Sequence, residues 1–257
     1  MIIVTGYSGF VGTNLRFKDD KKIIYLGRRN PSEINDKDEW INSTQPENWG
    51  DSMPDDCNGA TLVHLAWIAR EDYLNNPTNE YWLNCSKNLF DSFKNRGGKR
   101  FLSIGTSLET APFQKTFGDT LYVKSKSEFR EHIVSSGEVK STWIIPHTLF
   151  GKFEDRRRLV PTVINAMLGK AEPILKNPTE IRDFTPVNRL IDMINDAIEK
   201  DLEGIFECKT GIETSVQTFV DHLSNLFETG QVGWPLEGIE SELRETIHYW
   251  LSMKDFS

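Results

Sequence analysis

An open, doubly wound parallel α/β sheet with a smaller C-terminal α/β part is the fold this sequence predicts, and three observations carry it. Short runs of apolar, largely β-branched residues alternate with segments of helical spacing, as buried strands alternate with the helices that cover them. The first run, Ile2-Ile3-Val4, leads straight into Thr5-Gly6-Tyr7-Ser8-Gly9-Phe10-Val11-Gly12, a glycine-rich passage from strand to helix. No internal repeat or low-complexity tract interrupts the alternation.

The glycine turn has a physical logic of its own. Gly6 permits a tight turn off the strand, Gly9 removes a Cβ where backbone must approach a ligand, and Gly12 lets the next helix pack hard against the sheet. Ser8 adds a hydrogen-bond donor, and the amides around Phe10 and Val11 open a helix, the setting for a dinucleotide pyrophosphate. A glycine-rich turn without a ligand is the competing reading, and the turn alone leaves it open.

The remaining elements follow in order. A helix is expected over 11–17, then a polar stretch at 18–22 and a strand over Ile23-Ile24-Tyr25-Leu26 that ends in Gly27-Arg28-Arg29. The end of this strand sits beside the adenosine ribose in a dinucleotide fold, where a carboxylate binds the 2′-hydroxyl and an arginine accommodates a 2′-phosphate. Two arginines and no acid stand here, so Arg28 and Arg29 favour NADP(H) over NAD(H) unless they are merely solvated turn residues. Residues 30–58 are polar and carry three prolines, Pro31, Pro46 and Pro54, with one short strand near 40–42. A buried strand is expected over 61–66, with His64 read as a core or strand-end histidine, and a helix over 79–95 closed by Gly97-Gly98. Strands at 100–104 and 141–145 flank a helix at 121–134. Beyond Gly151 come helices at 160–168, 189–197, 216–227 and 239–253, a strand at 204–208 and a turn-rich patch at 172–186.

Composition bounds the function. The 257 residues suffice for a large core, and 30 Lys plus Arg against 38 Asp plus Glu give a net charge of −8, which argues against nonspecific nucleic-acid binding. Cys57, Cys85 and Cys208 are scattered and odd in number, which suits a reducing compartment and offers no metal cluster. Thr5 and Gly6 cut the apolar start too short for a signal peptide, and no run reaches the ~18 apolar residues of a membrane span. The expectation is a cytoplasmic protein without membrane or nucleic-acid partners.

Two stretches can carry chemistry. Thr106 and Ser107 follow the strand at 100–104, and sites in such sheets lie at the carboxyl ends of strands. Tyr122 and Lys126 are one helical turn apart and share a face. A phenol with an ordinary pKa near 10 cannot act at neutral pH, but a neighbouring ammonium favours the phenolate. Thr106 can then hold a substrate oxygen while Tyr122 transfers a proton to it. Alone, a Tyr–Lys pair on a helix is more often a surface pair; the strand-end hydroxyl and the glycine turn give it context.

Together the motifs resemble the extended branch of the short-chain dehydrogenase/reductase superfamily, the nucleotide-sugar epimerases, dehydratases and reductases. The matching runs are residues 5–12, Val63-His64-Leu65-Ala66, Asn84, Thr106, Tyr122-x-x-x-Lys126, residues 146–151, Arg158-Leu159-Val160-Pro161, Arg182-Asp183-Phe184-Thr185-Pro186-Val187 and residues 238–247. The resemblance implies a Rossmann-type cofactor domain over 1–151 and a substrate-binding part over 152–257, with chain excursions between them. It further implies a catalytic trio of Thr106, Tyr122 and Lys126, with Tyr122 and Lys126 also at the cofactor, and cofactor contacts from Leu65, Ala66, Trp67, Pro146 and Leu149. It also implies a homodimer built on helices 79–95 and 121–134. Substrate contacts are assigned to Thr106, Ser107, Thr148, Arg158 and Arg182, the arginines toward the phosphates or, on the other reading, in salt bridges.

Departures from the family sharpen the expectation. Thr148 stands where many members have asparagine, and Glu109 lies one place beyond the acid of the dehydratases. With Arg28 and Arg29, this favours an NADPH-dependent reductase of a keto group on a nucleotide-activated 6-deoxysugar. The alternatives are an NAD-dependent nucleotide-sugar epimerase using the same trio and a non-catalytic NADP(H) sensor.

Overall fold

The apolar runs become strands and the mixed segments become helices in the computed structural model, which describes every residue except 19, 32–33, 69–71, 170–174, 176, 232, 234 and 254–257. In order these are β1 (Ile2–Thr5), α1 (Phe10–Asn14), β2 (Ile23–Gly27), β3 (Glu39–Asn42), α2 (Trp49–Ser52), β4 (Thr61–His64), α3 (Thr78–Asn95), β5 (Arg100–Ile104), α4 (Gln114–Phe117) and α5 (Leu121–Ser135). The chain continues through β6 (Lys140–Pro146), β7 (Thr148–Phe150), α6 (Leu159–Met167), β8 (Ile181–Pro186), α7 (Val187–Glu199), β9 (Gly204–Cys208), β10 (Glu213–Ser215), α8 (Val216–Thr229) and α9 (Glu240–Ser252).

Two compact units emerge, Met1–Ile145 with Met193–Glu207, and Pro146–Asp192 with Cys208–Ser257. The first is built on a seven-stranded sheet of order β3-β2-β1-β4-β5-β6-β9, parallel in every pair from β3 to β6. Strand order reverses at β1, which pairs with β2 on one side and β4 on the other, so a crevice opens beyond their carboxyl ends. Its core is aromatic: Phe90, Phe93, Phe101, Phe129 and Trp143 are all fully buried, and Phe101 meets both Phe90 and Phe129 edge-on. Each such side chain contributes about 1.5–3 kcal/mol by leaving water. Arg100, buried at the start of β5, bonds Asp201 and the Leu202 carbonyl and so ties down the loop that enters β9.

The second unit holds the three-stranded sheet β10-β8-β7 with α6, α8 and α9 around a core in which Phe184 stacks on Phe219 at 3.8 Å. Within it Asp183 is buried and accepts from the amides of Thr210 (3.0 Å) and Gly211 (2.7 Å), pinning the turn ahead of β10.

Local propensity misreads three places. The expected helix over 11–17 is the five-residue α1, because Leu15 is extended and its amide closes the turn onto the Gly12 carbonyl. The turn-rich patch at 172–186 contains β8, whose partners β7 and β10 are short strands far apart in sequence; its residues 172–174 and 176 lie outside the described ones. The strand expected over 61–66 ends at His64, where the chain turns out of the sheet.

Candidate active site

The glycine turn is set by steric necessity at two of its three glycines. Gly6 has φ +73°, and a Cβ there would lie 2.5 Å from the Ala66 amide nitrogen. A Cβ on Gly12 would lie 2.3 Å from Tyr7 Cα and 2.4 Å from the Gly6 carbonyl oxygen. Gly12 therefore serves the packing of α1 against the turn that leaves β1. Gly9 is different: the nearest atom to a Cβ there is the Gly6 carbonyl oxygen at 3.3 Å, and Ser8 and Gly9 are both exposed. The space beside Gly9 is thus left open by the protein, as close approach of a pyrophosphate requires.

Tyr7, which the motif treats as filler, links this turn to the next strand. Its buried ring lies edge-on to Tyr25 of β2 at 5.2 Å, and its hydroxyl donates to the Arg29 carbonyl oxygen. A Cβ on Gly27 would come within 3.2 Å of the Tyr7 ring. Arg28 and Arg29 are exposed on a turn that is held against the glycine turn.

His64 is buried at the end of β4, its Nδ1 bonded to Thr5 Oγ1 (2.6 Å) and its Nε2 to Ser86 Oγ (2.9 Å). Burial, aided by the Lys126 charge, pushes it down to about 3, so it is a neutral core residue. Beyond it come Leu65, Ala66 and Trp67, the last with its Nε1 donating to Asn79 Oδ1 at 3.0 Å.

Thr106 follows β5 and caps the 3₁₀ turn Ser107–Glu109: its Oγ1 accepts from the Leu108 amide (3.3 Å), while its own amide donates to Glu109 Oε1 (3.0 Å). The Thr106-x-x-Glu109 spacing is that of a capping box, a signal the motif reading of this strand end passed over. Glu109 is buried and also accepts from Trp143 Nε1 (3.0 Å) and Arg130. Gly105 leaves it room, since a Cβ there would sit 2.3 Å from Glu109 Oε1. Replacing Glu109 with alanine strands two buried donors and a guanidinium, and the denaturation midpoint should report a loss of about 3 kcal/mol.

Lys126 projects from α5 to the same strand end. Its Nζ donates to the Ile104 carbonyl (2.7 Å) and sits 4.3 Å from the centre of the Trp67 ring. Burial pushes the ammonium down to about 7, with the Glu109 charge opposing that shift. Tyr122, half-buried, lies one turn earlier, and its ring meets Tyr73 edge-on at 4.8 Å. Thr106, Lys126 and Trp67 thus gather around the carboxyl end of β5, with Tyr122 on the adjoining helix; Ser107 is buried in the 3₁₀ turn.

Pro146, Thr148, Leu149, Arg158 and Arg182 belong to the second unit. Pro146 and Leu149 are buried, and Thr148 of β7 pairs with Phe184 of β8. Arg158 reaches the buried Glu154 (Nε to Oε1, 3.1 Å), which burial pushes up to about 7, and Arg182 reaches Glu180 at 2.8 Å. Each of these arginines already has a carboxylate partner inside its own unit. Among the described residues no group of His, Cys, Asp and Glu could hold a metal ion, and no helix is long and apolar enough to cross a membrane.

Known proteins agree with this geometry at the level of family and fold. The model of the NAD dependent epimerase/dehydratase family matches residues 2–207. No curated protein sequence matches the chain. Among solved structures, UDP-N-acetylglucosamine 4-epimerase from Methanobrevibacter ruminantium M1, in complex with UDP-N-acetylmuramic acid, superposes with a TM-score of 0.77 at 19% identity, covering 98% of each chain. The dTDP-glucose 4,6-dehydratase DesIV from Streptomyces venezuelae gives 0.75 at 13% identity over 97% of this chain and 96% of its own. UDP-glucuronic acid 4-epimerase from Bacillus cereus gives 0.75 at 15% identity over 97% and 98%.

Proposed function

Because the chain belongs to the NAD dependent epimerase/dehydratase family, we propose that it is an NAD(P)-dependent oxidoreductase that reduces a keto group on a nucleotide-activated 6-deoxysugar, with NADPH as reductant. The observation that carries the reading is the convergence of Thr106, Lys126 and the Tyr122-bearing helix at the carboxyl end of β5.

The cofactor fits the residues present. The amide of Gly9 is already bonded to the Gly6 carbonyl (3.0 Å), so Ser8 and the amides of Phe10 and Val11 would hold the pyrophosphate over the space beside Gly9. Gly6 and Gly12 shape that turn. Leu65, Ala66 and Trp67 would supply apolar walls. Arg28 and Arg29 support NADP(H), because a guanidinium favours the nearly doubly charged 2′-phosphate. When bound, the nicotinamide supplies hydride to the substrate carbon.

The chain's own residues handle the proton and the charge. Thr106 Oγ1 accepts from the Leu108 amide through one lone pair, which fixes the side chain, and its O–H would donate to the substrate oxygen. Tyr122 gives its phenolic proton to that oxygen as negative charge builds there. Lys126 stabilises the phenolate left behind, since a buried ammonium opposite an anion is attracted strongly in a low dielectric, and it also holds the cofactor ribose. Ser107 would meet the substrate from the first unit; in the second, Arg158 and Arg182 carry the guanidinium charge that phosphates favour and are paired with Glu154 and Glu180. Glu109 is committed to Thr106, Trp143 and Arg130, which argues against a dehydratase that needs a mobile acid at that place.

Epimerisation with NAD is the second reading, favoured by the solved 4-epimerases that share this fold. Titration of the purified protein with NADPH and NADH, then a panel of keto-sugar nucleotides, separates the two. Reductase action requires stoichiometric NADPH consumption; an epimerase turns over on a retained cofactor with none added. Tyr122→Phe should lower kcat by about 10²–10⁴-fold while the cofactor affinity stays nearly constant; undiminished turnover would remove Tyr122 from the mechanism. The helices α3 and α5, joined by Lys87–Glu128 (2.6 Å) and His132–Asp91 (2.9 Å) and bearing exposed Tyr81 and Val134, support a homodimer, which sedimentation tests.

A further inference from the structure

We propose that Asn79 is a positioning residue that fixes both Lys126 and Tyr122 from outside the site. The inference rests on the reading of those two residues as the reactive pair.

Asn79, in the first turn of α3, is fully buried, and its amide is bonded at both ends. Oδ1 accepts from Trp67 Nε1 (3.0 Å), while Nδ2 donates to the carbonyls of Tyr73 (2.6 Å) and Asn76 (2.9 Å). An indole N–H only donates and a carbonyl only accepts, so chemistry dictates which way this amide points.

Its oxygen acts on Lys126. The Trp67 ring that it tethers lies 4.3 Å from Lys126 Nζ, whose hydrogen bond runs to the Ile104 carbonyl at 2.7 Å. The indole therefore shields one side of the ammonium from water and attracts it through the ring face. Its nitrogen acts on Tyr122. The 3₁₀ turn Tyr73–Asn75 begins with the carbonyl that Asn79 holds. From that turn the Tyr73 ring stands edge-on to Tyr122, and Asn75 Oδ1 accepts from the Leu121 amide (3.2 Å), an otherwise unpaired donor at the start of α5. One buried amide thus orients the lysine through an indole and the tyrosine through a turn.

Lys126 reports on this tether. The titratable groups beside it are Glu109, which opposes its downward shift, His64, itself neutral, and Tyr122, one turn earlier on α5. Glu109 and His64 do not touch Asn79, and Tyr122→Phe removes the phenol, so a change in Lys126 titration after mutation of Asn79 in that background reads the shielding by Trp67. The experiment is a ¹³C NMR titration of labelled lysine Cε in cofactor-free Tyr122→Phe protein, with the Lys126 signal assigned through Lys126→Arg. In Asn79→Ala the released indole should let water in, and the midpoint should rise by about one pH unit or more. In the assay, with Tyr122 in place, kcat should fall about tenfold or more, with KM for the keto-sugar nucleotide moving far less. Trp67→Phe, which keeps a ring but deletes the N–H, should move the midpoint in the same direction. A folded Asn79→Ala with an unmoved Lys126 midpoint overturns the proposal; should that variant not fold, an unmoved midpoint in Trp67→Phe does so. Because this titration needs neither cofactor nor substrate, its failure is distinct from that of the reactive-pair reading, which fails if Tyr122→Phe retains full turnover.

Discussion

Lys126→Met should yield a protein that melts at a higher temperature than its parent below pH 7 and no longer turns over. The parent carries an ammonium 5% exposed whose ionisation burial pushes from 10.5 down to about 7. A lysine whose folded value is depressed binds fewer protons in the native than in the unfolded chain between those two values. Stability therefore rises with pH across the window from about 7 to 10.5, and the burial penalty is felt in full below it. Methionine matches the unbranched stem and removes the charge. Replacing buried charge by apolar volume often gains about 1–4 kcal/mol, and the Ile104 carbonyl that loses its donor takes back about 1–3 kcal/mol. A net gain of up to about 1 kcal/mol would raise the melting temperature by about 2–4 °C. The advantage should shrink as the pH climbs above 7, where the parent sheds the proton that methionine never carried. A variant that melts earlier at pH 6 would mean that the ammonium is better solvated than its contacts with Ile104 and Trp67 imply.

The second large effect separates two glycines of one motif. Gly12→Ala drives a methyl group to 2.3 Å from Tyr7 Cα and 2.4 Å from the Gly6 carbonyl, both backbone atoms that cannot rotate aside. The turn must open, carrying Tyr7 and its bond to the Arg29 carbonyl with it. We expect a loss of about 3 kcal/mol or more by urea unfolding, with cofactor binding abolished as a consequence. Gly9→Ala meets only the Gly6 carbonyl oxygen at 3.3 Å, so the melting temperature should stay within about two degrees of the parent. Its methyl nevertheless occupies the space proposed for the pyrophosphate, and NADPH affinity should fall by about tenfold or more. Equal damage from both substitutions would mean that Gly9, too, is there for the fold.

Much of this architecture was legible because buried parallel strands leave apolar runs, continuous in β1, β2 and β6 and reduced to Leu62-Val63 in β4 and Phe101-Leu102 in β5. The second unit was harder. Strands β7 and β10 have three residues each, too few for a period-two pattern, and β8 begins with the exposed Ile181 and carries Arg182 and Asp183 side by side before Phe184. At the site, Thr106, Tyr122 and Lys126 carried signals because spacing fixes the pair and a strand end fixes the hydroxyl. Tyr7 and Asn79 did not. Their importance lies in a carbonyl at Arg29 and an indole at Trp67, contacts that no spacing rule encodes. Glu109 was legible in the wrong role: its displacement from the dehydratase position was visible, but its use as a buried anchor depends on Arg130 and Trp143, which only the fold brings to it.

The return of the chain to its first sheet bears on the order in which a ribosome delivers it. Strand β6 has no outer neighbour until β9 arrives, and β9 follows the excursion through residues 146–192. A nascent chain with only its first 145 residues released therefore displays an open strand edge. Arg100 meanwhile lacks both of its distant partners, since Asp201 and the Leu202 carbonyl have yet to be synthesised. The buried guanidinium that ties down the finished sheet thus gains its counter-charge only after the excursion through the second unit is complete.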